Sequence, residues 1–256
     1  MVAAVTSLPT GYPSSAVDTV SSAGWASIGR TLAFVYAAGW FAGTWIFTLV
    51  SFAIIAPQPP DAADRVAHYA YERAVYPQLY VAVVCIAVAM LSLIGLGLVL
   101  RHSLGRDGAR QQLMAAAFAA AGLFGAIWLF LTIGLLQAVV NVSPGASTQT
   151  LQTLTDASAL IESPANWLQR AFLLLAGLGT YWSSRLALED RSSPRGWPVL
   201  GLVLAALYWL GFLSLLARDG ALPVPDAVGG LLILLSGGIA APIWGIWLAV
   251  RLLRAT

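Results

Sequence analysis

Leu79-Tyr-Val-Ala-Val-Val-Cys-Ile-Ala-Val-Ala-Met-Leu-Ser-Leu-Ile-Gly-Leu-Gly-Leu-Val-Leu100 runs without a charge and stops at Arg101-His102. A helix needs about 20 predominantly apolar residues to cross a bilayer core roughly 30 Å thick, and this stretch supplies them. Five further stretches read the same way: Thr31–Ala56, Leu113–Val140, Asn166–Leu186, Trp197–Leu216 and Val228–Leu253. Of the 256 residues, 59% are hydrophobic and 9% charged. Soluble domains carry roughly 25% charged residues, so an ordinary soluble enzyme is excluded. The expected fold class is all-α: a polytopic integral membrane protein with a six-transmembrane-helix bundle over residues 29–256. Residues 1–28 are read as a mobile tail with a short interfacial helix near Val17–Ile28.

The fourth span is the most polar, with Gln169 and Arg170 near one end and Arg185 near the other. These arginines are 15 residues apart in the chain, roughly 22 Å along a helix. Each can snorkel to its own interface. Arginine counts then set the orientation. Arg30, the loops 101–112 and 185–196, and the C-terminal Arg251 and Arg254 hold nine of the 13 basic residues, all of them arginine. The expectation is a multi-pass protein of the inner (plasma) membrane with both termini cytoplasmic.

The outer connections 57–78 and 141–165 are long and read as amphipathic helices lying on the membrane surface or capping the bundle. The first starts at Pro59-Pro60-Asp61 and is closed by Pro77; the second runs from Ser147/Thr148 to Pro164. Small residues at four-residue spacing, such as Gly39 and Gly43, or Gly237, Ala241 and Gly245, predict close helix packing. Most tryptophans, among them Trp40, Trp197 and Trp244, are read as interfacial anchors.

Absences exclude several functions. There is no lysine for a Schiff base, and one cysteine, Cys85, which cannot form an intrachain disulfide or a thiolate metal cluster. The two histidines, His68 and His102, are expected on opposite faces of the bilayer, where they cannot share a haem. No cofactor is expected, and a net charge of +2 gives no reason to invoke nucleic acid. No span has an Asp or Glu well inside it, which argues against ion coupling by a carboxylate. No nucleophile elbow, His-Glu-x-x-His or phosphate-binding loop occurs.

Two constellations carry candidate chemistry. Asp64, His68 and Glu72 fall at i, i+4 and i+8 on the first outer helix, a spacing that places metal-ligating side chains on one face. Tyr69 and Arg73 flank them as candidate ligand contacts. In the last span, Pro242 frees the carbonyl of Gly238. A broken helix with open carbonyls can line a cavity, so Gly238, Pro242 and Trp244 are candidate ligand residues.

Arg30 with Leu32-Ala-Phe-Val-Tyr36-Ala-Ala-Gly39, Arg195-Gly-Trp-Pro-Val-Leu-Gly201-Leu-Val-Leu-Ala and Ile243-Trp244-Gly-Ile-Trp247-Leu-Ala-Val-Arg251 together resemble a bacterial six-span family, domain of unknown function 4386. The resemblance covers roughly residues 28–254 and implies six helices with a long polar loop between the third and fourth. Family members often carry a carboxylate in the last helix and a histidine entering the fourth; this chain has Ala240-Ala241-Pro242 and Asn166-Trp167 there. The family brings no established activity. The expected function is that of a non-catalytic membrane protein, an accessory subunit or a binder of lipid or another hydrophobic ligand. Its expected partners are the bilayer and either a membrane protein or a hydrophobic small molecule. The alternatives are a small-molecule transporter or channel and, after that, an enzyme using the outer Asp64/His68/Glu72 group.

Overall fold

The computed structural model describes residues 22–58, 60, 65–104, 108–142, 145–190, 195–219 and 225–254. The described residues form helices and no strand: α1 (Ser22–Ser51), α2 (Arg65–Ser103), α3 (Ala109–Asn141), α4 (Thr148–Glu189), α5 (Gly196–Asp219), α6 (Asp226–Ile233) and α7 (Ala241–Arg254). A π-helical segment, Leu234–Ala240, joins α6 to α7. Among the described residues, five stretches are long and apolar enough to cross a membrane: Gly24–Ser51, Tyr69–Ser103, Ala109–Asn141, Gly196–Arg218 and Val228–Arg251. The last is α6, the π segment and most of α7. The protein is an all-helical bundle of membrane-protein character.

α4 is not among those five, yet it runs the length of its neighbours. It packs along α3 on one side and α5 on the other. The helices follow one another antiparallel around a closed ring, α1 to α2 to α3 to α4 to α5, then α6 and the π segment, with α7 returning against α1. The end that holds the start of α1 and the close of α7 is called proximal here, and the opposite end distal.

Close approach in this ring depends on absent side chains. A Cβ on Gly39 would meet the Cys85 carbonyl at 2.5 Å, and one on Gly43 the Ala82 carbonyl at 2.6 Å. The Gly39/Gly43 pair therefore sets α1 against the backbone of α2, as the spacing predicts. Gly245 does the same for α7, its Cβ position lying 3.0 Å from the Ala33 carbonyl of α1. In lipid, where apolar burial drives little helix association, such packing is the main attraction.

Three expectations need correction. The outer-loop helices are not separate elements: α2 continues through Pro77 and α4 through Pro164. Proline costs a helix one hydrogen bond but does not end it where the flanking turns are held. Here the distal overhangs brace one another, Tyr69 Oη lying 2.7 Å from Thr155 Oγ1 and Arg73 donating to the Val142 carbonyl. Ser147 caps α4 as its sequence predicts, its Oγ accepting from the Thr150 N–H at 3.2 Å. The short helix expected near Val17–Ile28 is, over its described part Ser22–Ile28, the start of α1 rather than a separate interfacial piece, and Trp25 stacks on His102 at 5.2 Å. Finally, Trp40, Trp197 and Trp244 are buried rather than interfacial.

Candidate functional site

The axis of the ring is filled at the proximal end. Trp197 stacks on Trp244 with centroids 5.4 Å apart, and its Nε1 donates to the Trp244 carbonyl at 3.2 Å. Tyr36 and Phe118 pack on the other sides of Trp244, at 5.9 and 6.3 Å. The phenol oxygens of Tyr36 and Tyr208 lie 2.9 Å apart, a buried hydrogen bond across the ring from α1 to α5. Phe172 meets Tyr208 at 5.8 Å and Trp40 at 6.2 Å.

That last group is the floor of a chamber. Trp40, Phe172 and Tyr208 close a cavity of about 220 Å³ that extends toward the distal end. Val83, Ile86, Leu129 and Leu207 give it apolar walls, and Thr132, Gln169, Ser214 and Ser236 contribute the polar groups. Three of these hydroxyls bond their own helix: Thr132 donates to the Trp128 carbonyl, Ser214 to Gly211 and Ser236 to Leu232, at 3.0, 2.8 and 2.6 Å. Their donors are spent, while their oxygens can still accept. Beside the chamber, Thr44 Oγ1 is buried without a hydrogen-bond partner.

A second cavity of about 420 Å³ adjoins the chamber between the distal parts of α2, α3 and α4. Trp128 and Thr132 line both, so one turn of α3 is the boundary between them. This crevice differs in chemistry. Tyr69, Glu72, Thr155, Ser158, Glu162 and Asn166 give it a polar wall opposite the apolar residues of α3. Its volume lies within the roughly 300–1,000 Å³ of small-molecule sites.

The residues singled out from the sequence divide between wall and frame. Tyr69 and Glu72 line the crevice. Arg73 lines neither cavity; it ties α2 to the end of α3 through the Val142 carbonyl. The Gly238 carbonyl is not open, because Trp45 Nε1 donates to it at 3.2 Å. Pro242 is buried next to the π segment and Trp244 sits in the proximal core, so neither they nor Gly238 touch the cavities. The π segment closes differently from a simple proline kink: the Ala241 N–H reaches the Ser236 carbonyl, five residues back. Gly237 makes room there, since a Cβ would lie 2.6 Å from the Trp40 ring and 2.7 Å from Thr44 Oγ1. Of the proposed metal set, Asp64 and the His68 side chain lie outside the described residues, and no group of three potential metal ligands occurs among the described residues.

Sequence reasoning missed the chamber itself. Trp40, Phe172 and Tyr208 come from three helices, and each stands in an apolar run with nothing local to mark it. No family, no curated protein and no solved structure matches this chain.

Proposed function

We propose that the chain crosses the bilayer six times, α4 being the fourth crossing, and that it binds a small hydrophobic or amphipathic molecule in the distal cavities without transforming it. The observation that carries this reading is the pairing of an apolar chamber with a polar crevice across a single turn of α3. Such a pair suits a molecule with an apolar body and a polar end. The crossing by α4 is supported by its packing on α3 and α5 over their shared length. Its two arginines lie far enough apart to reach opposite interfaces. The resemblance to the six-span family is consistent with this reading and adds no activity to it.

The binding reading is tested by purifying the protein in native lipid nanodiscs and identifying extracted small molecules by mass spectrometry. One compound should be enriched over bulk lipid and lost from Gly211→Leu, whose side chain would enter the chamber. Equal recovery from both proteins overturns the site. The crossing is tested in a Cys85→Ala background with single cysteines at Ser103, Ser147 and Arg195. Impermeant maleimide should reach Ser147 from one side and the other two from the opposite side. Arg195 labelling with Ser147 would remove α4 from the spans.

A second reading, a small-molecule transporter, is favoured by one observation: the π segment contributes Ser236 to the chamber wall. Interrupted helices line many transporter sites. Concentrative uptake into proteoliposomes separates it from binding alone.

A further inference from the structure

The seam between α1 and the last span is shut along one part and parted along another. Where the π segment meets α1, Gly237 lies against Trp40 and Thr44, and Trp45 Nε1 donates to the Gly238 carbonyl. Trp40, Thr44, Gly237 and Gly238 are all buried. One turn closer to the distal end the same two faces continue as Phe47 on α1 and Ile233 on α6. Phe47 is 43% exposed and Ile233 42%. Both line the chamber, and among its described lining residues these two alone are exposed. Gly229 lines it as well, and a Cβ there would meet nothing within 4 Å. α6 packs on α5 and on the π segment, so the chamber has its opening between α6 and α1. Phe47 lies four residues before Ser51, and Ile233 five after Val228, the distal ends of their apolar stretches. That is roughly 6–8 Å inside each along a helix. What borders a membrane span at that depth is acyl chain, not water. The chamber behind the opening suits hydrocarbon. Its walls are apolar, and the hydroxyls of Thr132, Ser214 and Ser236 have turned their protons to their own helices. Apolar cavities stay dry and take up hydrocarbon.

We propose that the chamber is loaded sideways from the distal leaflet, through a portal between α1 and α6, and that its occupant is a single-chain lipid of the fatty-acid kind. This assignment rests on the binding reading above and adds a source, a route and a ligand class to it. A chain entering between Phe47 and Ile233 passes Gly229 and ends over Trp40, Phe172 and Tyr208 without leaving apolar surroundings. A solute from water would come instead through the polar crevice and past Trp128.

The test uses the purified protein in phosphatidylcholine nanodiscs and two photoactivatable probes. One is a fatty acid with a diazirine at the end of its chain, the other a charged, membrane-impermeant phenyldiazirine. Peptide mass spectrometry after irradiation locates the adducts. Phe41 and Phe130, exposed on the outside of the bundle, should be labelled by the fatty acid in every variant and so report insertion. Val83 and Leu129 are buried and line the chamber. The fatty acid should label them saturably, and the aqueous probe should not. Gly229→Trp, whose ring would stand in the portal, should abolish labelling at Val83 and Leu129. Phe47→Ala, which widens the portal, should raise the initial rate of labelling there and serves if the tryptophan variant does not fold. Chamber labelling that survives Gly229→Trp, or a rate unmoved by Phe47→Ala, would overturn the portal. Loss of that labelling in Gly211→Leu would, in that event, leave the broader binding reading standing. Labelling of Val83 and Leu129 by the aqueous probe alone would overturn the lipid source and leave a chamber entered through the crevice. Adducts at neither residue with either probe overturn the proposal, and the mass-spectrometric search for a co-purified compound then decides the broader reading by itself.

Discussion

The proximal stack and the open side of the distal chamber give their nearest glycines different surroundings. Near the proximal stack, a Cβ on Gly201 would meet Ser184 Oγ and lie 2.9 Å from Trp244 Nε1, one on Gly179 would lie 2.9 Å from Phe118, and one on Gly245 3.0 Å from the Ala33 carbonyl and 3.1 Å from Tyr36. At the distal end Gly211 has only the Leu173 methyl carbons, at 3.6 and 3.7 Å, and Gly229 has nothing within 4 Å. Glycine thus admits rings beside the proximal stack and leaves open space at Gly211 and Gly229, while Gly43 and Gly237, next to the chamber, are packed as closely as the proximal glycines. Polar contacts brace both ends, the distal one through Tyr69 with Thr155 and Arg73 with the Val142 carbonyl. The proximal end carries Arg110 to Glu189 at 3.3 Å, Arg251 to Asp190 at 3.6 Å, and Arg251 over the Trp197 ring at 5.1 Å. Exposed pairs such as Arg110 with Glu189 add little stability alone, but they lie over an axis already packed with side chains. A packed axis next to an open chamber is an arrangement that can hold a preformed cavity.

Substitutions test this contrast, beginning with the largest effect. Trp244→Ala empties the centre of the proximal stack and should cost about 3–5 kcal/mol, the range for large aromatic truncations at filled sites. The midpoint of unfolding in a mixed-micelle denaturant titration reads it. A cost below about 1 kcal/mol would mean that the proximal axis is no better filled than the distal one. Tyr208→Phe should cost about 1 kcal/mol, because it removes one hydroxyl and strands the buried Tyr36 oxygen. The Tyr36→Phe/Tyr208→Phe double variant should recover part of that loss, and strict additivity would show that the two phenols do not interact. Gly211→Leu should change stability least, within about 1 kcal/mol of the parent and on the favourable side, since leucine is the better helix former and the chamber accepts its side chain. Strong destabilisation by Gly211→Leu would show the chamber to be closed to added volume.

Much of the helical layout is legible in the sequence because hydrocarbon length is a one-dimensional requirement. Leu79–Leu100 meets it, and the observed helix contains that run. What the sequence obscures is where a helix ends outside the apolar zone. Pro77 and Pro164 look like boundaries, yet the turns around each are braced by contacts between α2, α3 and α4 that no local window contains. The π segment is hidden for a related reason. Ser236-Gly237-Gly238 and Pro242 announce an irregularity, but its form depends on Trp40, Thr44 and Trp45 of α1 packing against it. The candidate site is least legible of all. In a soluble helix the buried face is the apolar face, whereas a helix in lipid is apolar all round, so nothing in the runs around Trp40, Phe172 or Tyr208 says which side faces the axis. Tyr69 and Glu72 differ in standing in a polar segment, where a shared helical face has meaning.

The seam between α1 and α7 bears on the order in which the bundle is made. Every other pair of neighbours in the ring is also consecutive in the chain and can dock as soon as its second helix is inserted. The seam alone joins the earliest of these helices to the latest, and it waits until α7 has followed α6 and the π segment into place. Ala33 and Ala37, which receive Gly245, stay uncovered through that interval. So does the flank of the chamber that Leu232, Ile233 and Ser236 will close. Loop-closure entropy grows only slowly with the length of chain enclosed, so this last docking is held back by the schedule of synthesis more than by its distance along the chain. The cavity is thus a product of the final step of assembly, and a nascent chain halted before α6 would have the floor of the chamber without its last wall.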